Sequence, residues 1–278
     1  VRELAPAKVN ICLCVGPHRA DGRHELFSVM QAITLCDELE LADGERDEVI
    51  CAGVEGPNLA AAALAAFRAA TGWEGPPQRI EITKRIPVAA GLGGGSADAA
   101  AVLRMLARRS ALGERGLLLE LAAKLGSDVP AALRPGRALV RGGGEQVVAL
   151  PDPPALGVLV LPSPEALSTA AVYAQADRLG SPRSAEALAA LERLDPQQLE
   201  GVNDLEAAAL SLEPAIAVSL ERARAGGARH ALVSGSGPTV IGLFDTPLAA
   251  GEAAAALRAA GVDALAARPF PGAASAPA

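Results

Sequence analysis

The stretch Pro87-Val88-Ala89-Ala90-Gly91-Leu92-Gly93-Gly94-Gly95-Ser96 constrains this chain more than any other. Just upstream, residues 79–84 (RIEITK) alternate apolar and polar side chains, as a half-buried strand does. Downstream, Ala99, Val102, Leu103 and Leu106 recur at helical spacing. The glycines therefore join a strand to a helix. A glycine run is not expected to be helical, so the helix is expected from Ser96 onward, with Ser96 as its N-cap and Asp98 in its first turn. Glycine admits positive φ and lets an anion reach the backbone without meeting a Cβ. The helix that follows offers unpaired N–H groups and the positive end of its dipole. Such a stretch is either a tight structural connection or a phosphate-binding loop. Two common nucleotide loops do not fit: no Lys-Ser/Thr follows the glycines as in GxxxxGK[ST], and Ser96 stands where GxGxxG needs its last glycine.

Around this loop the pattern alternates. Residues 2–16 and 27–41 read as strands, 58–71 as a helix ended by Gly72, 114–125 as another helix, and 137–150 as two short strands about Gly142-Gly143-Gly144. Pro151, Pro153 and Pro154 punctuate the chain and suggest a boundary. Beyond them, strands are expected at 157–161, 230–233, 239–244 and 263–267. Helices are expected at 168–178, 184–194, 203–210, 213–225 and 248–260. The fold class is thus α/β (α+β), with one domain over 1–152, a second over 153–268 and a disordered Pro/Ala/Gly-rich tail over 269–278.

A chain of 278 residues, half of them apolar, can bury the core of two such domains. Its net charge of −7, with no run of Lys or Arg, argues against nucleic acid and anionic membranes as partners. No stretch of about 18 apolar residues free of charge is present, and the strand pattern begins at once, so neither a membrane span nor a signal peptide is expected. The four cysteines form no CxxC pair, and Cys12 and Cys14 alternate with Ile11 and Leu13. They read as reduced, partly buried thiols of a cytoplasmic protein. His18, His24 and His230 lack a helical ligand spacing, so no metal site is expected from them.

Further motifs accompany the glycine loop. Pro6-Ala7-Lys8-Val9-Asn10 places a lysine in an apolar strand, either at a solvated edge or for a purpose. Gly126-Ser127-Asp128-Val129-Pro130 carries an aspartate that is a helix N-cap, a functional carboxylate, or both. Val233-Ser234-Gly235-Ser236-Gly237-Pro238-Thr239 sets a glycine-rich turn between strands. In that order, and with Arg19-Ala20-Asp21-Gly22-Arg23-His24-Glu25-Leu26, these segments resemble the GHMP kinase family, and the resemblance runs from residue 5 to residue 244.

The resemblance implies a two-lobed fold, with an S5-like N-terminal lobe and a ferredoxin-like C-terminal lobe. It implies ATP, held by Pro87, Ala90, Gly91, Leu92, Gly93, Gly94, Gly95 and Ser96, and an alcohol substrate between the lobes. Lys8 and Asp128 match the family's catalytic pair. Asp128 would take the hydroxyl proton, and Lys8 would stabilise the charge on the transferring phosphoryl group. The segment about His24 implies a sugar alcohol linked to cytidine diphosphate, met by Asn10, Arg23, His24, Thr169 and Tyr173. Arg23 stands where relatives carry an aromatic residue, and a guanidinium also stacks on rings. Mg²⁺ is expected with ATP but receives no assigned ligand, because Gly94 and Gly95 occupy the place after Gly-Leu-Gly where many members carry serine. Asn203-Asp204-Leu205 would start a helix that supports the cleft. A monomer or weak homodimer is expected. The alternatives within this resemblance are a kinase acting on homoserine, mevalonate or a sugar, and a non-catalytic ligand sensor.

Overall fold

The computed structural model describes residues 1–54, 56–153 and 155–272. The chain opens with a long hairpin. β1 (Arg2–His18) and β2 (His24–Asp43) pair antiparallel from Arg2↔Glu40 to His18↔His24. β3 (Glu48–Cys51) follows, a short strand with no apolar alternation and no counterpart in the expected pattern. α1 (Leu59–Thr71) is closed at one end by the Asn58 side chain, which accepts from the Ala60 N–H, and at the other by Gly72 at φ 64°. Next come β4 (Gln78–Thr83), α2 (Gly94–Ser110), α3 (Arg115–Leu125), α4 (Val129–Ala132), β5 (Arg137–Gly142) and β6 (Gln146–Leu150).

These six strands make most of a seven-stranded sheet. Its main path runs β3-β4-β2-β1, and the long β2 also carries β5, which pairs with β6. β2 can serve three partners because its C-terminal half pairs with β4 while its N-terminal half pairs with β5.

The remainder comprises β7 (Gly157–Leu161), α5 (Thr169–Leu179), α6 (Ala185–Ala190), β8 (Val202–Asn203), α7 (Glu206–Leu212), α8 (Ile216–Ala225), β9 (His230–Val233), β10 (Val240–Phe244), α9 (Pro247–Ala259) and β11 (Leu265–Ala267). Four of these strands form an antiparallel sheet in the order β11-β7-β10-β9. The seventh strand of the first sheet is β8, which lies parallel to β1 through Cys12↔Val202 and Leu13↔Asn203.

Among the described residues, three large apolar cores follow from this layering, with a small fourth cluster of Met30, Ala138 and Val140. One fills the space between the first sheet and α1, α2 and α3, around Leu39, Phe67, Ile80 and Leu103. The second lies between the two sheets, where Val9, Ile11, Phe27 and Val29 meet Val158, Val160, Ile241 and Leu243. The third packs the other face of the small sheet against its helices. The architecture is thus the expected two-lobed α+β arrangement, with the lobes sharing one core.

Several local expectations need correction. Helix α2 begins inside the glycine run, at Gly94, and its N-cap is Gly93 at φ 70°. Ser96 therefore sits in the first turn and caps nothing. Positive φ at Ala89, Gly91 and Gly93 turns the chain, after which Gly94 and Gly95 adopt helical geometry and the Ala97 N–H reaches the Gly93 carbonyl at 2.9 Å. Asp98 lies beyond the first turn and is 4% exposed. Its carboxylate takes an ion pair from Lys84 at 2.7 Å instead of facing the dipole. Residues 203–205 do not open a helix: Asn203 ends β8, and α7 begins at Glu206. The expected disordered tail is ordered where it is described. Ile33 bridges to Pro269, and the Phe270 N–H donates to the Ala32 carbonyl at 2.8 Å. Residues 273–278 lie outside the described residues.

Candidate active site

Lys8 and Asn10 project from the same face of β1, two residues apart with no register shift between them. The Lys8 ammonium donates to Asn10 Oδ1 at 2.8 Å and lies 3.3 Å from Asp128 Oδ2. Asn10 is 2% exposed, and its amide donates to Ser28 Oγ at 2.8 Å. Ser28 in turn donates to the Cys12 carbonyl. The Asn10 side chain thereby ties Lys8 to Ser28 while still lining the cavity described below. Asp128 occupies the N-cap position of α4 but makes no capping hydrogen bond, and its carboxylate is turned toward Lys8.

The glycine loop is built around this pair. The Lys8 N–H donates to the Leu92 carbonyl at 2.9 Å, tying β1 to the loop. Gly91 (φ 73°) approaches the second glycine-rich turn so closely that a Cβ there would fall 2.7 Å from the Gly237 carbonyl oxygen. Gly235 (φ 62°) in turn lies over Asn10 and Lys8: its Cβ would stand 3.2 Å from Asn10 Oδ1 and 3.5 Å from Lys8 Nζ. Asn203 fixes that turn by donating to the carbonyls of Val233 and Gly235 at 2.8 and 2.9 Å. Ser236 Oγ meets Thr169 Oγ1 at 3.0 Å. The turn at 234–237 was recognised in the sequence as a motif, but no residue in it was assigned a role. Its closing contact on Lys8 joins residues more than 200 positions apart, which no local pattern reveals.

A cavity of about 620 Å³ opens from this cluster. Lys8, Asn10, Asp128, Gly91, Gly93, Gly235 and Ser236 line it together with Arg23, His24, Thr169 and Tyr173. The catalytic and substrate residues expected from the sequence are therefore brought together. Of the loop residues, Gly91 and Gly93 reach this wall. Ala90 and Leu92 are 4% and 1% exposed, so their side chains belong to the core and only their backbone is available. Ser96 lines a small adjoining hollow with Lys8, Gly93 and Asp128. Pro87, Gly94 and Gly95 lie outside both spaces.

On the same wall, the rings of His24 and Tyr173 pack 5.1 Å apart, and that of His18 lies 4.0 Å from His24. Burial, and then the Asp128 carboxylate, push the Tyr173 phenol well above its ordinary value. Arg23 is held by Asp21 Oδ2 at 2.9 Å and by the Gly143 carbonyl at 3.1 Å. His24 is 7% exposed, and its Nε2 meets Asp177 Oδ1 at 2.9 Å. His18 and Asp177 carried no expected role. Helical ligand spacing had set the histidines apart, whereas hairpin register places His18 directly opposite His24.

Beneath the loop, Lys84 bridges Asp37 and Asp98, and Asp37 Oδ1 also accepts from the N–H groups of Arg85 and Ile86 at 2.6 and 2.9 Å. Asp98 Oδ1 is buried without a partner. Desolvation pushes the Asp98 carboxyl up to about 6 against the opposing pull of Lys84.

The family profile described as GHMP kinases N terminal domain matches residues 58–136, and that described as GHMP kinases C terminal matches residues 181–263. The chain belongs to the GHMP kinase family. Among relatives of this GHMP kinase, a protein of Anaeromyxobacter dehalogenans (strain 2CP-C) named 4-diphosphocytidyl-2-C-methyl-D-erythritol kinase is 43% identical over 95% of this chain and 89% of its own. A protein of the same name from Thermobifida fusca (strain YX) is also 43% identical, over 92% and 91%. A crystal structure of 4-(cytidine 5'-diphospho)-2C-methyl-D-erythritol kinase superposes with a TM-score of 0.80 at 36% identity, covering 98% of this chain and all of the other. Homoserine kinase from Cytophaga hutchinsonii superposes with a TM-score of 0.65 at 22% identity, over 98% of this chain and 95% of the other, and shows the shared fold alone. Among the described residues no helix is long and apolar enough to cross a membrane.

Proposed function

We propose that this GHMP kinase transfers the terminal phosphate of ATP to the 2-hydroxyl of 4-diphosphocytidyl-2-C-methyl-D-erythritol, in the non-mevalonate route to isoprenoid precursors in the cytoplasm. The observation that carries this reading is the Lys8–Asp128 ion pair, 3.3 Å apart, on the wall of one cavity that also holds Gly93 and the His24–Tyr173 ring pair.

The chemistry follows from that arrangement. The hydroxyl must lose its proton as its oxygen attacks phosphorus, and Asp128 is the carboxylate in position to accept it. The neighbouring ammonium of Lys8, 3.3 Å from Asp128 Oδ2, offsets charge on the phosphoryl oxygens. Asn10 holds the ammonium in register. The N-terminus of α2, entered through Gly93, supplies N–H groups to the phosphates without a Cβ in their path. On the cavity wall, the pairing of His24 Nε2 with Asp177 puts that ring's proton on Nε2 and leaves Nδ1 as an acceptor. Arg23, His24, Thr169 and Tyr173 then bind the cytidylyl end. The oxygen donors Asp128 and Ser96 border one hollow beside Lys8 and suit a hard cation, so they are the residues that would hold Mg²⁺. When bound, that ion neutralises phosphate charge.

The test is ADP release by purified protein with Mg-ATP and each of three alcohols: the cytidylyl substrate, homoserine and mevalonate. Release with the cytidylyl substrate alone is expected. Release with another alcohol, or with none, would overturn the assignment.

A further inference from the structure

His18, His24 and Asp177 meet at the cytidylyl end of the cavity, and the mechanism above uses only one of them directly. His18 comes from the last position of β1 and His24 from the first of β2, placed opposite one another by the hairpin register. Asp177 comes from α5, on the other lobe. Its two carboxylate oxygens face the two rings separately: Oδ2 lies 3.2 Å from His18 Nε2 and Oδ1 lies 2.9 Å from His24 Nε2. One ligand atom from each residue falls within 4.8 Å of the others.

Two imidazole nitrogens and one carboxylate oxygen converging in this way are the donor set of a borderline transition-metal ion, with bonds of about 2.0–2.2 Å. We propose that His18, His24 and Asp177 form a Zn²⁺-class metal site that joins the hairpin of the first lobe to α5 of the second, leaving a fourth position open to the cavity. Imidazole donors favour Zn²⁺, Co²⁺ or Ni²⁺ over the oxygen-seeking Mg²⁺ that accompanies ATP, so the two ions do not compete for it.

The local structure supports entry and closure. The His18 side chain is 62% exposed and that of Asp177 35%, so the ion reaches its ligands from solvent and the contraction needed falls on exposed side chains. His24 is anchored by burial against Tyr173 and supplies the fixed ligand. Binding uses the Nε2 lone pair of each ring, so in the metal-bound form both neutral rings carry their proton on Nδ1. That is the nitrogen left to the nucleobase in the metal-free form. An occupied site therefore removes the acceptor that His24 offers to the cytidylyl group, and Zn²⁺ acts as a competitive inhibitor against that substrate. This last consequence rests on the proposed function; the metal site itself does not.

The experiment titrates chelator-treated full chain with Co²⁺ alone and follows visible absorption. One equivalent is expected to develop the d–d bands of a four- or five-coordinate ion, to be displaced by Zn²⁺, and to bind at least tenfold more weakly in His18→Ala and in Asp177→Asn. Both positions are exposed, and circular dichroism confirms that the variants fold. Absence of a visible band, an unchanged band in both variants, or sulfur-to-metal charge transfer marking the thiols as ligands would each overturn the site. A second arm measures ADP release with and without Zn²⁺. A raised KM for the cytidylyl substrate at constant KM for Mg-ATP, abolished in His18→Ala, is expected. If the kinase assay shows no turnover at all, the proposed function fails while the Co²⁺ result still decides the metal site.

Discussion

Gly93 exists to make room for Lys8: a Cβ on Gly93 would fall 2.8 Å from Lys8 Cγ and 3.1 Å from Lys8 Cε. The backbone there also sits at φ 70°, where a side chain is strained. The absence of a side chain at position 93 is thus required by the placement of Lys8 as well as by any phosphate. Gly93→Ala is expected to push the ammonium away from Asp128 and lower kcat by about 10²-fold, with weaker ATP binding alongside. Gly95→Ala is the control, because its Cβ would meet only Leu59 at 3.7 Å, an ordinary contact. Steady-state kinetics and calorimetric ATP titration on both variants would decide it; equal losses in the two would refute the Lys8 argument.

Asp128→Asn keeps the shape of the site and removes the carboxylate proposed as the base. Turnover is expected to fall by roughly 10²–10⁴-fold. ATP affinity should fall far less than turnover, since the N–H groups at the start of α2 stay in place. Near-parental kcat would remove Asp128 from the chemistry.

Asn10→Ala cuts the tether between Lys8 and Ser28. Because the side chain is buried, the loss should cost about 1–3 kcal/mol of stability, read by denaturant titration. It should also lower kcat more than it raises KM for ATP. Asn10→Asp should recover part of kcat by restoring an acceptor to the ammonium; equal damage in both variants would argue that Asn10 is only a packing residue.

Asp98 gives a pH dependence with a definite sign. Its carboxyl is pushed up to about 6 in the folded chain, so between pH 4 and 6 the native state holds a proton that the unfolded state has released. The stability it contributes is greatest below pH 4 and is lost as pH rises through 6. Asp98→Asn, which cannot ionise, should therefore gain stability relative to the parent between pH 4 and pH 7, by on the order of 1–3 kcal/mol. Paired denaturation curves at the two pH values measure this, and a constant difference between the proteins would contradict it.

The site was legible in the sequence wherever a motif is local. PAKVN, the glycine loop and GSDVP each put a residue on the wall of one cavity, since a strand, a positive-φ turn and a short helix are written in neighbouring positions. What escaped depends on contacts far apart in the chain. Asp177 reaches His24 across lobes, and Asn203 reaches the carbonyls of Val233 and Gly235. The misplaced start of α2 has a different origin. Glycine has low helix propensity, yet a left-handed N-cap at Gly93 followed by the burial of Ala97, Ala99, Ala100 and Ala101 against the sheet outweighs that cost. β3 escaped because a four-residue edge strand with mixed burial has no periodicity to read.

The parallel contact between β8 and β1 bears on how the chain is made. Cys12 and Leu13 wait for Val202 and Asn203, and Ala32 and Ile33 wait for Phe270 and Pro269. On a ribosome, the first lobe emerges long before the residues that complete its sheet. The β1 edge stays unpaired until residues 202–203 have been made, and the middle of β2 lacks its last partner until residues 269–270 have, so the lobe that carries the glycine loop is begun first and completed late.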